Sequence, residues 1–263
     1  MFSPKSADNI FNKFFPTTEF PDLSNFGEYT QIPHLFGTTP KIAPPTPDFD
    51  GMPTFIKYSP LFSYIPHDAI WAIVIWTMFC GIIKFDEQLK NYTNFGIGGK
   101  ADVLVEVKEE YQLVDLIKFN QKNNIETTII GNGTNILVTD KGIRGCVIII
   151  SKNYDRISLD GNLLRVSAGC LLSKASKFSF ENSLTGMEEV SGIPGSLGGA
   201  VAMNAGAYGV EMKDIIKSVR LVSKTGEILE VSNEDMDFSY RHSKVFDDDL
   251  VVSEAIFELR KNL

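Results

Sequence analysis

Cysteine, histidine and tryptophan are scarce in this chain of 263 residues, at three, three and two. Cys80, Cys146 and Cys170 are odd in number and lack metal-ligand spacing, so the sequence offers no disulfide framework; reduced thiols and a cytoplasmic setting follow. His34, His67 and His242 are too scattered to build a metal site. There is no excess of basic residues. Lys and Arg number 25 against 33 Asp and Glu, a net charge of −8, which excludes a broad nucleic-acid-binding face. An acidic chain can still take a small anion where backbone amides face it. Proline is nearly absent from the second half: eleven of the twelve lie at or before Pro66, and Pro194 stands alone after it.

That proline boundary divides the chain. Residues 1–66 contain KIAPPTPDFDGMP and show no sustained helical or strand period, so they offer no core pattern. Next comes AIWAIVIWTMFCGII, residues 69–83, fifteen uncharged residues. A membrane span needs about 20. The run reads either as a membrane anchor or as a buried helix. Residues 1–83 therefore form an unassigned, Pro-rich region, and residues 84–263 form the folded domain.

From Phe85 onward the pattern is regular. ADVLVEV (101–107) alternates as a half-buried strand, with Ala101, Val103, Val105 and Val107 on one face. Residues 109–124 place Leu113, Leu116, Ile117 and Asn120 at helical spacing, with acids first and lysines later. Strands are expected at 127–130, 145–150, 163–169 and 250–259, and a hairpin at 218–232. A helix is expected over 170–183, with Leu171, Ala175 and Phe178 inward. Mixed strands, helices and hairpins predict an α+β architecture.

Two stretches are rich in glycine and free of charge. GNGTN, residues 131–135, follows a strand; Gly131 and Gly133 open backbone angles closed to other residues. Successive amides in such a turn form an anion-binding nest that suits a diphosphate, and the same residues also suit a plain tight turn. No G-x-G-x-x-G spacing is present, so this is not a Rossmann fingerprint. SGIPGSLGGAVAMNAGAYG, residues 191–209, holds six glycines, with Pro194 stiffening its first turn. Bare backbone there suits either a large flat ligand or the close packing of a helix on a sheet.

NYTNFGIGGKAD (91–102), IIGNGTNILVTDKGIRG (129–145), the 191–209 stretch and FSYRHSKVF (238–246) occur in this order. Together they resemble the UDP-N-acetylenolpyruvoylglucosamine reductase family over residues 84–263. The resemblance implies the FAD-binding fold of the vanillyl-alcohol oxidase (PCMH) type, made of two α/β subdomains. It implies FAD and NADPH as cofactors and UDP-N-acetylglucosamine enolpyruvate as the substrate, reduced to UDP-N-acetylmuramate for peptidoglycan. It places the FAD diphosphate on Gly131, Asn132, Gly133, Thr134 and Asn135. It lays the flavin and its linker along Gly192, Ile193, Pro194, Gly195, Gly198, Gly199, Asn204 and Gly206. Arg241 matches the family's active-site arginine, and a permanently charged fork suits a carboxylate or a developing enolate. Read without the resemblance, Arg241 beside His242 and Lys244 is an ordinary surface arginine.

The family also carries a proton-donating serine in an S-A-G-S-x-F-K-N-P-like segment and a later glutamate. This sequence has no such segment, and neither Ser243 nor Ser253 matches it. The expectation is a reductase intact in its flavin half, its activity impaired. The alternatives are a non-catalytic FAD-binding remnant, or half of a split enzyme whose C-terminal domain lies on another chain.

Overall fold

The computed structural model describes residues 82–261. The Pro-rich region and most of the apolar run at 69–83 lie outside the described residues. The last two residues of that run, Ile82 and Ile83, open the first strand of the domain.

Strand β1 (Ile82–Gln88) leads through a 3-10 turn (Leu89–Tyr92) to β2 (Lys100–Glu106), which pairs with it antiparallel. Helix α1 (Glu110–Lys122) follows, then β3 (Thr127–Ile130) and β4 (Ile143–Ile149). The sheet order is β1-β2-β4-β3, and β4 runs parallel to both β2 and β3. β2 is therefore an inner strand. Leu104 is as buried as Ala101, Val103 and Val105, so the strand is covered on both faces where the alternation predicts one. α1 starts at a capping box between Glu109 and Gln112 and carries Glu110 in its first turn and Lys122 in its last. Its inner face buries Leu113, Leu116, Ile117 and Asn120, as the spacing predicts. Each buried leucine or isoleucine contributes about 1.5–3 kcal/mol.

The second sheet is antiparallel throughout, its strands in the order Ile228–Ser232, Ile216–Val222, Val251–Glu258, Leu163–Ser167 and Ile157–Asp160. β5 (Ile157–Asp160) and β6 (Leu163–Ser167) form a hairpin turning at Gly161, φ 63°. Then come α2 (Leu172–Glu181), β7 (Leu184–Thr185) and α3 (Leu197–Ala202). β8 (Gly206–Ala207) and β9 (Val210–Glu211) form a tight hairpin. α4 (Met212–Ile215), β10 (Ile216–Val222), β11 (Ile228–Ser232), α5 (Lys244–Asp247), β12 (Val251–Glu258) and β13 (Arg260–Lys261) complete the described chain. β12 sits centrally, and α3 packs across it and β6. The inward face of α2 is Leu172, Ala175 and Ser179. Leu171 is exposed because it is the N-cap, one residue before the helix begins. The fold is thus α+β, two α/β subdomains in sequence.

A partly buried polar chain joins the subdomains. Arg220 on β10 donates two hydrogen bonds to Glu110 on α1, Nε to Oε1 at 2.7 Å and Nη2 to Oε2 at 2.9 Å. Ser253 on β12 donates to the same carboxylate at 2.6 Å. Its hydroxyl proton is then spent, so the Tyr154 phenol, 2.7 Å away, is the donor to Ser253. Burial pushes the Tyr154 phenol up to about 12, while the Ser253 bond pulls the other way. Arg156 pairs with Glu109 beside this chain.

Candidate functional site: a cleft between two glycine-rich loops

Between the subdomains runs a cleft of about 1230 Å³. That exceeds the usual range for one small molecule, roughly 300–1,000 Å³, and suits a dinucleotide. One wall is the end of β3 and the loop 131–135. The facing wall is residues 193–199, the body of α3 and the start of β12. The two glycine-rich stretches, about 60 residues apart in sequence, therefore face each other.

Their glycines do different jobs. A Cβ on Gly133, whose φ is +67°, would run into the Tyr92 carbonyl oxygen, so this glycine lets the loop lie on the 3-10 turn. A Cβ on Gly131 would run into the Ser196 hydroxyl, and one on Gly195, φ +133°, would come within 2.9 Å of Thr134 Oγ1. Gly198 packs on Ala168 in the same way, at 2.9 Å. Gly199 differs: the nearest atom to its added Cβ is Ser196 Oγ at 3.9 Å, so its bare face is open to the cleft. Thr134 Oγ1 reaches back across the gap to the Pro194 carbonyl, 3.3 Å.

The loop also meets the test for an anion. None of the amides of Gly131, Asn132, Gly133, Thr134 and Asn135 donates to a backbone carbonyl among the described residues. A run of unspent donors at the mouth of a dinucleotide-sized cleft fits a diphosphate. The charged residues lining the cleft are Lys224, Arg241 and Asp249, one positive charge in balance. The residues present fit FAD in length, in polarity and in the open glycine face.

Of the residues singled out from sequence, Gly131, Asn132, Gly133, Thr134, Asn135, Ile193, Pro194, Gly195, Gly198, Gly199 and Arg241 line this one cleft. Gly192, Asn204 and Gly206 are not among its lining residues. Gly192 lies in the exposed turn before the cleft wall. Gly206 is a glycine because a Cβ would meet the Val210 carbonyl oxygen at 2.7 Å across the β8–β9 hairpin. Asn204 is buried, and its amide makes three hydrogen bonds within the protein. Nδ2 donates to Glu211 Oε2 (2.9 Å) and to the Ser239 carbonyl (3.0 Å), and Oδ1 accepts from the Lys213 amide (3.1 Å). It ties the β8–β9 hairpin to the turn that carries Arg241.

That turn is a small hairpin in which Ser239 and His242 exchange backbone hydrogen bonds around Tyr240 and Arg241. Arg241 is left-handed, φ 58°, a conformation uncommon for a bulky residue. Its guanidinium stands 5.7 Å from the Tyr240 ring centroid. Ser243, next along, donates to the Ala202 carbonyl at 2.8 Å and so anchors the turn to α3. Nearby, the Lys213 hydrogen bond and then that of Asn204 hold the Glu211 carboxyl below its ordinary value, with the charge of Arg241 adding to them.

The sequence reading passed over several wall residues. Ser196 sits inside the glycine-rich stretch 191–209, whose signal is its lack of side chains. Phe246 ends the FSYRHSKVF stretch without standing out in it, and Val251 comes from a segment with no motif, brought in by the return of β12 beneath α3. Neither cysteine near the domain core is available for chemistry. Burial pushes the Cys146 and Cys170 thiols up to about 12.

Residues 101–232 match the family model described as FAD binding domain. A UDP-N-acetylenolpyruvoylglucosamine reductase of Clostridioides difficile is 46% identical over 179 residues, covering 68% of this chain and 59% of that protein. One from Streptococcus mutans is 42% identical over 178 residues, covering 68% and 58%. The crystal structure of the corresponding reductase from Thermus caldophilus superposes with a TM-score of 0.60 at 30% identity, covering 69% of this chain and 64% of that one. The chain thus spans less than two thirds of the length of each.

Proposed function

The chain belongs to the FAD binding domain family, and on that premise we propose that it carries the flavin-holding part of a UDP-N-acetylenolpyruvoylglucosamine reductase. The reaction proposed is the NADPH-dependent reduction of UDP-N-acetylglucosamine enolpyruvate to UDP-N-acetylmuramate, a step toward peptidoglycan and, through it, cell shape and division. Residues 84–263 form the cofactor-binding unit in this reading, residues 1–83 a separate region, and the setting is the cytoplasm. Among the described residues no helix is long and apolar enough to cross a membrane.

The observation that carries the proposal is the convergence of both glycine-rich loops and Arg241 on one cleft with unspent backbone donors. FAD supplies hydride-transfer chemistry when bound. The amides of residues 131–135 hold its diphosphate, and the bare face of Gly199 admits its flat or extended part without steric conflict. The walls of Ile130, Ile193, Ala200 and Val252 exclude water and strengthen any charge interaction inside. Arg241 binds the enolpyruvyl carboxylate and stabilises the negative charge that collects beside it as the double bond is reduced. The left-handed turn and its ties through Asn204 and Ser243 fix where that guanidinium stands.

The test is direct. The purified chain is titrated with FAD, followed by flavin absorbance and fluorescence. It is then mixed anaerobically with NADPH and the enol ether, and UDP-N-acetylmuramate is assayed. Saturable FAD binding with product supports the whole reading. FAD binding without product reduces the proposal to a FAD-binding module, and no flavin binding overturns it.

A further inference from the structure

The turn that carries Arg241 is tied to Asn204, and Asn204 is itself held by Glu211. Glu211 closes β9 and is the N-cap of α4. Its carboxylate accepts from Asn204 Nδ2 at 2.9 Å, from Lys213 Nζ at 2.8 Å, and from the Asp214 amide in a capping box. Gly206 makes room for this side chain: a Cβ added there would come within 2.7 Å of Glu211 Cγ.

An asparagine amide can face either way round, and here two contacts decide between them. Oδ1 accepts from the Lys213 amide at 3.1 Å, and one hydrogen of Nδ2 goes to the Glu211 carboxylate. The second hydrogen is thereby aimed at the Ser239 carbonyl, 3.0 Å away. Ser239 and His242 exchange backbone hydrogen bonds of 3.1 and 3.3 Å, and the left-handed Arg241 stands between them. Two hydrogen bonds therefore lead from the carboxylate to the turn of the arginine. The first is charge-assisted, roughly twice as strong as a neutral one. Glu211 does not take the guanidinium for itself. It pairs with Lys213, and among the described residues no ion pair joins it to Arg241. The fork stays open to a carboxylate from outside.

We propose that Glu211 is a positioning residue for Arg241: through Asn204 it fixes the turn 239–242, and with it the place where the guanidinium meets a carboxylate-bearing substrate. This rests on the reading of Arg241 as the ligand of the enolpyruvyl carboxylate.

Glu211→Gln removes the charge and one acceptor oxygen and keeps the length of the side chain. Glu211→Asp keeps the charge and a good N-cap but draws the carboxylate back from Asn204 by one methylene. The FAD-loaded wild type, both variants, Arg241→Gln and the double variant Glu211→Gln/Arg241→Gln are titrated with the enol ether. Each is also titrated with UDP-N-acetylglucosamine, which lacks the carboxylate. Flavin absorbance follows both titrations, and FAD affinity and melting temperature are measured alongside. The wild type should prefer the enol ether. Glu211→Gln and Glu211→Asp should each cut that preference by about three- to tenfold, with the affinities for FAD and UDP-N-acetylglucosamine close to wild type. In the Arg241→Gln background, Glu211→Gln should add no further loss, because its effect runs through the arginine. Full preference in both Glu211 variants overturns the assignment. Equal weakening of the two ligands, or a loss that adds to that of Arg241→Gln, also overturns it, since Glu211 then only supports the fold. A wild type that binds FAD without preferring the enol ether removes the carboxylate role from Arg241, and the Glu211 assignment falls with it. A wild type that binds no FAD overturns the reading of the cleft and the assignment together.

Discussion

Arg220 and Glu110 are 110 positions apart, yet two parallel hydrogen bonds of 2.7 and 2.9 Å join them across the two subdomains. The bidentate geometry is specific to arginine, and Ser253 fills a further lone pair of the carboxylate. Arg220 and, after the opposing effect of burial, Ser253 hold the Glu110 carboxyl below its usual value of 4.5. Ser253 directly follows Val251 and Val252 of β12, which line the cleft, so the pair ties α1 to a strand of the cleft wall.

Arg220→Met should therefore destabilise the domain by about 1–2 kcal/mol, a value kept modest because both side chains are partly exposed. The effect has a pH signature. A carboxyl with a lowered folded pKa contributes stability that is present above its unfolded value near 4.5 and is lost as pH falls through the folded one. The gap between wild type and variant should be full at pH 7 and narrow below about pH 4. Urea unfolding at pH 7 and at pH 3.5 measures it; a gap independent of pH would mean that packing of the Arg220 stem, not the ion pair, carries the effect.

Two glycine substitutions should separate folding from cofactor binding. Gly133→Ala places a Cβ against the Tyr92 carbonyl oxygen in a left-handed backbone, and it should cost about 1–3 kcal/mol of stability along with flavin binding. At Gly199 an added Cβ meets nothing nearer than 3.9 Å outside its own helix, so Gly199→Val should leave the fold intact with its stability changed by less than about 1 kcal/mol. Its side chain fills the cleft, and FAD binding should be lost. Thermal melts paired with flavin titration decide the matter. An unfolded Gly199→Val, or one that retains flavin, contradicts the placement of that face.

How much of this was legible in the sequence depends on the range of the interaction. Periodicity found α1 and its inner face, because helix burial repeats locally. It missed that β2 is covered on both sides, since strand order decides that and β4 lies some 40 residues downstream. On α2 it placed Ala175 inward correctly but chose Leu171 and Phe178 where Leu172 and Ser179 are buried, because the N-cap Leu171 resembles a first helical position until the backbone turns. The two glycine-rich stretches stood out individually, but nothing in either says that they meet. For Asn204, the sequence suggested a cofactor contact; its three hydrogen bonds instead depend on Glu211, Ser239 and Lys213 arriving from three elements. Glycine and asparagine in a motif mark a constrained backbone, and only tertiary structure shows whether ligand or protein imposes the constraint.

The thiols give a further check. Cys146 and Cys170 are buried, and burial raises both to about 12. Both should resist alkylation in the folded protein at pH 8 and react at the ordinary thiol rate in urea, read by mass spectrometry of the peptides holding each. The unfolded chain releases these protons above an ordinary value of about 9, whereas the folded one keeps them, so stability should fall as pH rises above 9. Rapid labelling of Cys170 at pH 8 would show that the wall between Gly169 and α2 opens.

Arg241 offers the sharpest test of the proposed chemistry. It lines the cleft from an exposed left-handed turn, and no hydrogen bond to the loop 131–135 involves it. Arg241→Gln should thus leave FAD affinity within about twofold of wild type, a change below 0.5 kcal/mol. It should weaken binding of UDP-N-acetylglucosamine enolpyruvate, read through the flavin absorbance of the FAD-loaded chain, by about tenfold or more, because a charge-assisted bond to the carboxylate is lost. Whatever turnover the wild type supports should fall by roughly 100- to 1,000-fold, the usual cost of removing a donor aimed at developing charge. Arg241→Lys should recover part of the binding and less of the rate, since an ammonium supplies the charge without the fork. If Gln at this position weakens FAD and leaves the enol ether unaffected, the guanidinium serves the cofactor, and the carboxylate must be bound elsewhere in the cleft.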